Sequence, residues 1–259
     1  RRVIGMRIAH LKRELEGVRA HRSRYRARRR RAGVPVVSIV GYTNAGKSTL
    51  LNQLTDAGVL VEDKLFATLD PTTRRVPLPN GGVALFTDTV GFIQKLPTQL
   101  VAAFRATLEE VVEADLLLHV LDVAHPHAMR QAEAVRETLE EIGAGDKPIV
   151  TVLNKVDQLP ALDAILPLQA RFSNSVVISA LTGWGVESLL VRVEEMLEMQ
   201  MVWLDVLIPY EEGELVNLFH RRGLIEREEH TGEGTRIAGR LPRELMGPFY
   251  ELQGTVREN

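Results

Sequence analysis

Gly41-Tyr42-Thr43-Asn44-Ala45-Gly46-Lys47-Ser48 spells the pattern G-x-x-x-x-G-K-S. Just upstream, residues 34–40 are β-branched except for Pro35 and Ser38 and read as a buried parallel strand. Just downstream, Leu50, Leu51 and Leu54 fall on one side of a helix. Glycines let a backbone curl until its N–H groups face a phosphate chain, and the helix N-terminus adds a favourable dipole. Lys47 is placed to reach β- and γ-phosphates, and the Ser48 hydroxyl to ligate Mg²⁺. A strand before and a helix after separate this stretch from a glycine-rich turn that matches by chance. Gly41, Tyr42, Thr43, Asn44, Ala45, Gly46, Lys47, Ser48 and Thr49 are therefore candidate nucleotide-binding residues, with Lys47 also a catalytic candidate.

Such a loop predicts an α/β fold, a doubly wound and mostly parallel sheet whose ligand residues collect past the carboxyl ends of its strands. Residues 83–87 read as a strand ending in Asp88-Thr89-Val90-Gly91, with Asp88 placed to hold Mg²⁺ through water and the Gly91 N–H to approach a γ-phosphate. Residues 116–121 read as a strand ending in Asp122, and 149–153 as one ending in Asn154-Lys155-Val156-Asp157. Residues 176–178 end in Ser179-Ala180-Leu181. A carboxylate at Asp157 can accept from both the N1–H and the exocyclic amine of guanine, whereas adenine offers an acceptor at N1 and no amine there. Asn154, Ser179 and Ala180 would buttress the base, and the Lys155 stem could cover one ring face. N-K-x-D is weak alone; about one hundred residues after a phosphate loop and at a strand end, it points to GTP rather than ATP.

The 259 residues suggest one to two domains. An apolar fraction of 45% and a charged fraction of 25% exclude a mostly disordered or fibrous chain. No apolar run reaches the roughly 18–20 residues of a bilayer span. The lack of cysteine removes disulfides, thiol catalysis and cysteine-ligated metal clusters. The chain opens on Arg1-Arg2-Val3-Ile4 without a signal peptide, so a cytoplasmic fragment of a longer protein is expected, with a fraction at ribosomes or a membrane surface.

The net charge of −2 hides an asymmetry. Residues 1–31 carry 13 basic and 2 acidic side chains, which leaves 19 basic and 32 acidic residues for the remainder. Ile4, Ile8, Leu11, Leu15 and Val18 make a two-heptad helical seam, and the Arg28–Arg31 run beyond it suits a nucleic-acid backbone more than a merely solvated face. Gly33 and Pro35 break that helix. The expected organisation is a basic helical linker over 1–32, a GTP-binding domain over 33–202 and a small α+β domain over 203–259. Helical residues 185–201 end the GTP-binding domain; the last domain then has a strand at 203–209, a helix at 211–222, strands at 223–230 and 235–241, and a short helix near 243–250.

The ordered set GYTNAGKS, FATLDPTTR, DTVGF, NKVD and SAL resembles the GTPases of the Obg–HflX group, and FATLDPTTR with DTVGFIQKLP resembles the HflX family closely. The resemblance runs along the whole chain and implies a GTPase domain, a preceding helical connection and a small C-terminal domain, without the family's N-terminal domain. It implies hydrolysis of GTP to GDP with Mg²⁺, a switch I segment at Phe66, Ala67, Thr68, Leu69 and Asp70, and Thr68 as the threonine joining Ser48 on the metal, with Thr72 and Thr73 as rivals. The metal-ligand candidates are thus Ser48, Thr68 and Asp88, and the catalytic ones Lys47, Thr68 and Gly91. It also implies binding to the large ribosomal subunit and rRNA, splitting of stalled ribosomes and a monomeric protein.

One departure bears on mechanism. Where many GTPases place a water-orienting glutamine after the D-x-x-G glycine, this chain has Phe92, so intrinsic hydrolysis should be slow. Asn44 stands three residues before Lys47, where potassium-activated relatives use an asparagine to hold K⁺; comparing turnover in KCl and NaCl separates the two readings. Of the other residues, His119 reads as a satisfied core residue, His125-Pro126-His127 as a turn, and Trp184 as packed against the base loop. Residues 92–104 read as a mobile switch II, and Arg105 as solvated rather than as an in-cis charge stabiliser. Two rivals remain: a P-loop ATPase or small-molecule kinase, and an RNA-binding module whose GTPase is inert.

Overall fold

The computed structural model describes residues 34–55, 72–92, 108–252 and 254–257. The basic arm, residues 66–70 and Arg105 lie outside the described residues. Two compact units are present, one spanning Pro35–Glu198 and the other built from Met199 onward.

The first unit is a six-stranded sheet ordered β2-β3-β1-β4-β5-β6. Its strands are β1 (Val36–Gly41), β2 (Thr72–Pro77), β3 (Val83–Asp88), β4 (Leu116–Asp122), β5 (Ile149–Asn154) and β6 (Ser175–Val177). All neighbours are parallel except β2, which runs antiparallel along β3. Strands covered on both faces bury every side chain. β4 accordingly reads LLLHVLD with its first six residues buried. The helices are α1 (Lys47–Thr55), α2 (Ala128–Glu141), α3 (Leu166–Arg171) and α4 (Val186–Glu198). Leu50 and Leu51 of α1 and Leu189 and Val193 of α4 share a core with Val37, Ile39, Leu118 and Val152. The opposite face packs Val40 and Leu117 against Val135 and Leu139 of α2 and against the helical residues 108–112. Because the chain passes from β1 to β3 on one side and to β4 on the other, the crevice above β1 is the point where ligands gather in sheets of this kind.

A buried carboxylate ties this unit together over a long loop. Both oxygens of Glu194, on α4, accept from the Asn80 N–H at 3.2 Å and so hold the turn between β2 and β3.

The second unit is an antiparallel sheet ordered β10-β7-β9-β8, from β7 (Met201–Pro209), β8 (Leu224–His230), β9 (Gly234–Pro242) and β10 (Gly254–Arg257), with helix α5 (Gly213–Arg222). Val202, Leu204, Val206 and Ile208 alternate inward along β7, and Phe219 of α5 meets Phe249 edge-on at 5.9 Å. On the outward face Arg236 makes two hydrogen bonds to Asp205, at 2.7 and 3.0 Å. The short helix expected near 243–250 is instead two 3₁₀ turns, Arg243–Leu245 and Gly247–Phe249, since Gly247 and Pro248 do not sustain a longer helix. The edge strands β2 and β10 and the helix α2 add to the expected elements.

Candidate nucleotide-binding site

The sheet delivers the phosphate loop to the carboxyl end of its central strand. β1 stops at Gly41, and α1 begins at Lys47, six residues on. Asn44 is exposed and holds a left-handed conformation, φ 62°. At Gly46 (φ 98°) any Cβ would collide with the Asn154 side-chain amide, so only glycine fits. Phe92 is bonded through both of its backbone groups: its N–H donates to the Gly41 carbonyl at 3.0 Å, and its carbonyl accepts from the Thr43 N–H at 2.9 Å. The loop is thereby laced to the D-x-x-G stretch that follows β3.

Lys47 folds back over this loop. Its ammonium donates to the carbonyls of Gly41 (3.2 Å) and Tyr42 (3.0 Å). Burial lowers its pKa to about 8, against the opposing pull of the Asp88 carboxylate. Ser48, in the first turn of α1, donates its hydroxyl to Asp88 Oδ2 at 2.6 Å, which joins the helix start to the end of β3. Thr89 anchors the next residue through its hydroxyl to the Ile39 carbonyl at 2.6 Å, and Val90 is buried beside it. At Gly91 a Cβ would stand 2.8 Å from Thr43 Cα and 3.1 Å from Lys47 Nζ, so the backbone here passes closer to the lysine than any side chain permits. Phe92 is buried in the core, and its ring carries no group that could hydrogen-bond a water.

The second half of the site lies past β5 and β6. Asn154, the last residue of β5, is buried and faces two loops at once. Its Nδ2 donates to the Ala45 carbonyl at 2.9 Å, and its Oδ1 accepts from the Ala180 N–H at 2.9 Å. Lys155 then adopts a left-handed conformation (φ 69°) that turns the chain into a 3₁₀ turn, Val156–Gln158. Asp157 is exposed on that turn. The Ser179 hydroxyl accepts from the Thr182 N–H at 3.2 Å, and Leu181 points outward, 72% exposed.

Among the described residues, then, Gly41 to Thr49, Asp88 to Gly91, Asn154 to Asp157 and Ser179 to Leu181 converge on one edge of the sheet. Phe66, Ala67, Thr68, Leu69 and Asp70 lie outside the described residues. The rivals Thr72 and Thr73 start β2, where the Thr73 hydroxyl is 3.0 Å from that of Thr87. Two expectations are corrected. Trp184 is not packed down on the base loop: the residue is 52% exposed, and it closes the loop through its carbonyl, which accepts from the Ser179 N–H. His119 is not satisfied as expected: among the described residues its buried Nε2 has no hydrogen-bond partner. Sequence reasoning also passed over a partner for Lys155. Its ammonium sits 2.8 Å from Asp122 Oδ2, at the adjacent strand end.

Burial first, and then Lys47, lower the His119 pKa from 6.5 to about 4. Between those two values the unfolded chain holds the extra proton, so stability falls as pH drops from 6.5 towards 4. His119→Leu should remove up to about 3 kcal/mol of that loss, at 1.36 kcal/mol per pKa unit. Urea midpoints at pH 4.5 and 7 check it; equal acid sensitivity in both proteins contradicts it.

The comparisons with known proteins agree with this geometry. Residues 36–155 match the family described as "50S ribosome-binding GTPase". A relative from Lacrimispora saccharolytica, named GTPase HflX, is 47% identical over 258 residues, which is 100% of this chain and 60% of that protein. The chain thus spans about 60% of the length of the curated relatives it matches first. Among solved structures, a GTP-binding protein from Sulfolobus solfataricus in complex with GDP is 31% identical with a TM-score of 0.53, over 74% of this chain and 57% of that one. Era in complex with MgGDPNP and nucleotides 1506–1542 of 16S ribosomal RNA is 27% identical with a TM-score of 0.51, over 64% and 56%. From end to end the chain is similar to proteins named GTPase HflX, and its residues 36–155 match a GTPase family model.

Proposed function

We propose that this protein binds GTP and GDP, hydrolyses GTP to GDP and phosphate, and acts as a nucleotide-controlled switch on the ribosome. One observation carries the reading: Asn154 joins the phosphate loop at Ala45 to the loop at Ala180 through a single side-chain amide, with Asp157 three residues further on. This tie supports the reading that the Asp157 carboxylate reads a base whose phosphates lie on the loop at 41–48, as a guanosine phosphate requires.

The chemistry asked of the chain is positioning and charge stabilisation. Lys47 exchanges two loop carbonyls for phosphate oxygens, and the Gly91 N–H approaches the γ-phosphate. Ser48 and Asp88, already 2.6 Å apart, are the hard oxygen donors that suit Mg²⁺, with Thr68 as a third from the segment outside the described residues. Bound there, Mg²⁺ neutralises charge on the phosphates. Phe92 offers no hydrogen bond to an attacking water, which makes basal turnover slow and leaves room for stimulation by a partner or by K⁺ beside Asn44. The name of the matching family and the basic residues 1–31 favour the large ribosomal subunit and its rRNA as that partner, with subunit splitting as the outcome. We also propose the division into a basic linker over 1–32, a GTP-binding domain over 33–202 and a small domain over 203–259, in a cytoplasmic monomer.

Calorimetry with Mg²⁺ should find GTP and GDP bound at least about a hundredfold more tightly than ATP. Asp157→Asn should cut the guanine preference, because an amide offers one acceptor where the carboxylate offers two. Equal affinity for ATP would favour the kinase reading. Phosphate release unaltered by purified large subunits, beside RNA binding that ignores nucleotide, would favour the inert RNA-binding module.

A further inference from the structure

The phosphate and base loops use Asn154, Lys155 and Asp157, but nothing so far gives a task to Asp122. Asp122 ends β4 in register with Asn154 on β5, so its side chain emerges one position away from Lys155 on the neighbouring strand end. Its two oxygens are divided. Oδ1 accepts from the Ala124 N–H at 3.0 Å and fixes the turn after β4, while Oδ2 meets Lys155 Nζ at 2.8 Å. Both side chains are largely withdrawn from solvent, at 20% exposure for Lys155 and 13% for Asp122. A pair this enclosed is less screened than a surface ion pair.

Lys155 is therefore held at both ends. Its Cα is fixed by the left-handed turn that starts the 3₁₀ segment, and its ammonium by Asp122. A free lysine side chain carries among the largest rotamer entropies of any residue, and that entropy must be given up when the stem is pressed against a ligand. From this juxtaposition we infer that Asp122 is a positioning residue for the guanine nucleotide: it pre-sets the Lys155 methylene stem as a rail along one face of the purine and so slows nucleotide release. The inference rests on the proposed nucleotide site and adds to it a residue that touches neither base nor phosphate.

The experiment measures release of a fluorescent GDP analogue by stopped flow, using the whole chain. Asp122→Asn keeps an acceptor for the Ala124 N–H and loses the charge, and should speed release about tenfold. Lys155→Met keeps the apolar stem, loses the clamped ammonium, and tests the same link from the other end. It should show a similar acceleration, and the double variant should be no faster than either single one, as expected of two groups acting through one contact. The ratio of GDP to IDP affinity, which reports the Asp157 carboxylate on the exocyclic amine, should stay as in the unsubstituted protein; a generally loosened site would lower it. Release within about twofold of the unsubstituted rate in both single variants, or effects that multiply in the double, overturns the inference. If the unsubstituted protein binds no GDP, the proposed function falls and this inference with it. If it binds GDP and the variants release it normally, only the inference falls.

Discussion

Lys47→Ala is expected to reduce GTP affinity by about 10²–10³-fold and to leave no measurable turnover, since truncating one partner of a desolvated charge pair costs about 2–5 kcal/mol. The same ammonium would also stabilise charge that develops on the transferring phosphoryl group. A defect in folding can be told apart from this loss. The ammonium is buried and its pKa is already lowered to about 8, so the folded protein carries the cost of desolvating it. Alanine relieves that cost while giving up two hydrogen bonds to loop carbonyls. The melting temperature should therefore hold or rise while binding disappears. Calorimetry and thermal unfolding on one sample check both, and retained affinity would contradict the role given to the lysine.

The second large effect is expected at Asn154. Alanine there strands the Ala45 carbonyl and the Ala180 N–H, two buried backbone groups with no replacement, at about 1–3 kcal/mol each. Stability should drop by roughly 2–5 kcal/mol by urea denaturation, and GDP affinity by at least tenfold, because the phosphate and base loops lose their common tie. Asn154→Asp separates the two arms. A carboxylate still accepts from Ala180 but cannot donate to Ala45, so it should fall between the parent and alanine. If aspartate matches the parent, the Ala45 contact contributes nothing.

The parts of the fold that could be read in advance are those where backbone conformation or burial leaves few choices of residue. β1, β4 and β5 are apolar runs, each interrupted by a single polar residue (Ser38, His119 and Thr151), because helices cover both of their faces; β4 and β5 end in the polar Asp122 and Asn154, and β1 in Gly41. The phosphate loop is legible for a related reason: a side chain at Gly46 or Gly91 would occupy space already filled by Asn154 or by Thr43 and Lys47. β2 is the opposite case. Thr72-Thr73-Arg74-Arg75-Val76-Pro77 buries only Val76 and borrows its strand conformation from β3, so its own pattern is silent. β10 likewise depends on β7. α2 carries a regular stripe, Ala128, Ala132, Val135 and Leu139, which attention to strand ends alone passes over. Asp122 and Lys155 are 33 residues apart and meet only through the register of two strands. His119 sits in a run of apolar residues that predicts its burial and says nothing of what its ring nitrogens find there.

The Glu194 carboxylate joins residues 114 positions apart in sequence. While the nascent chain is still being made, the turn at Asn80 must wait for nearly all of the first unit to leave the ribosomal exit before its anchor exists. Contacts of such high sequence separation form late and slow the search for the native state. The ribbon carrying Asp88 should thus be among the last parts of the sheet to become rigid, and the cradle for the nucleotide should mature only after the final helix of that unit has been synthesised.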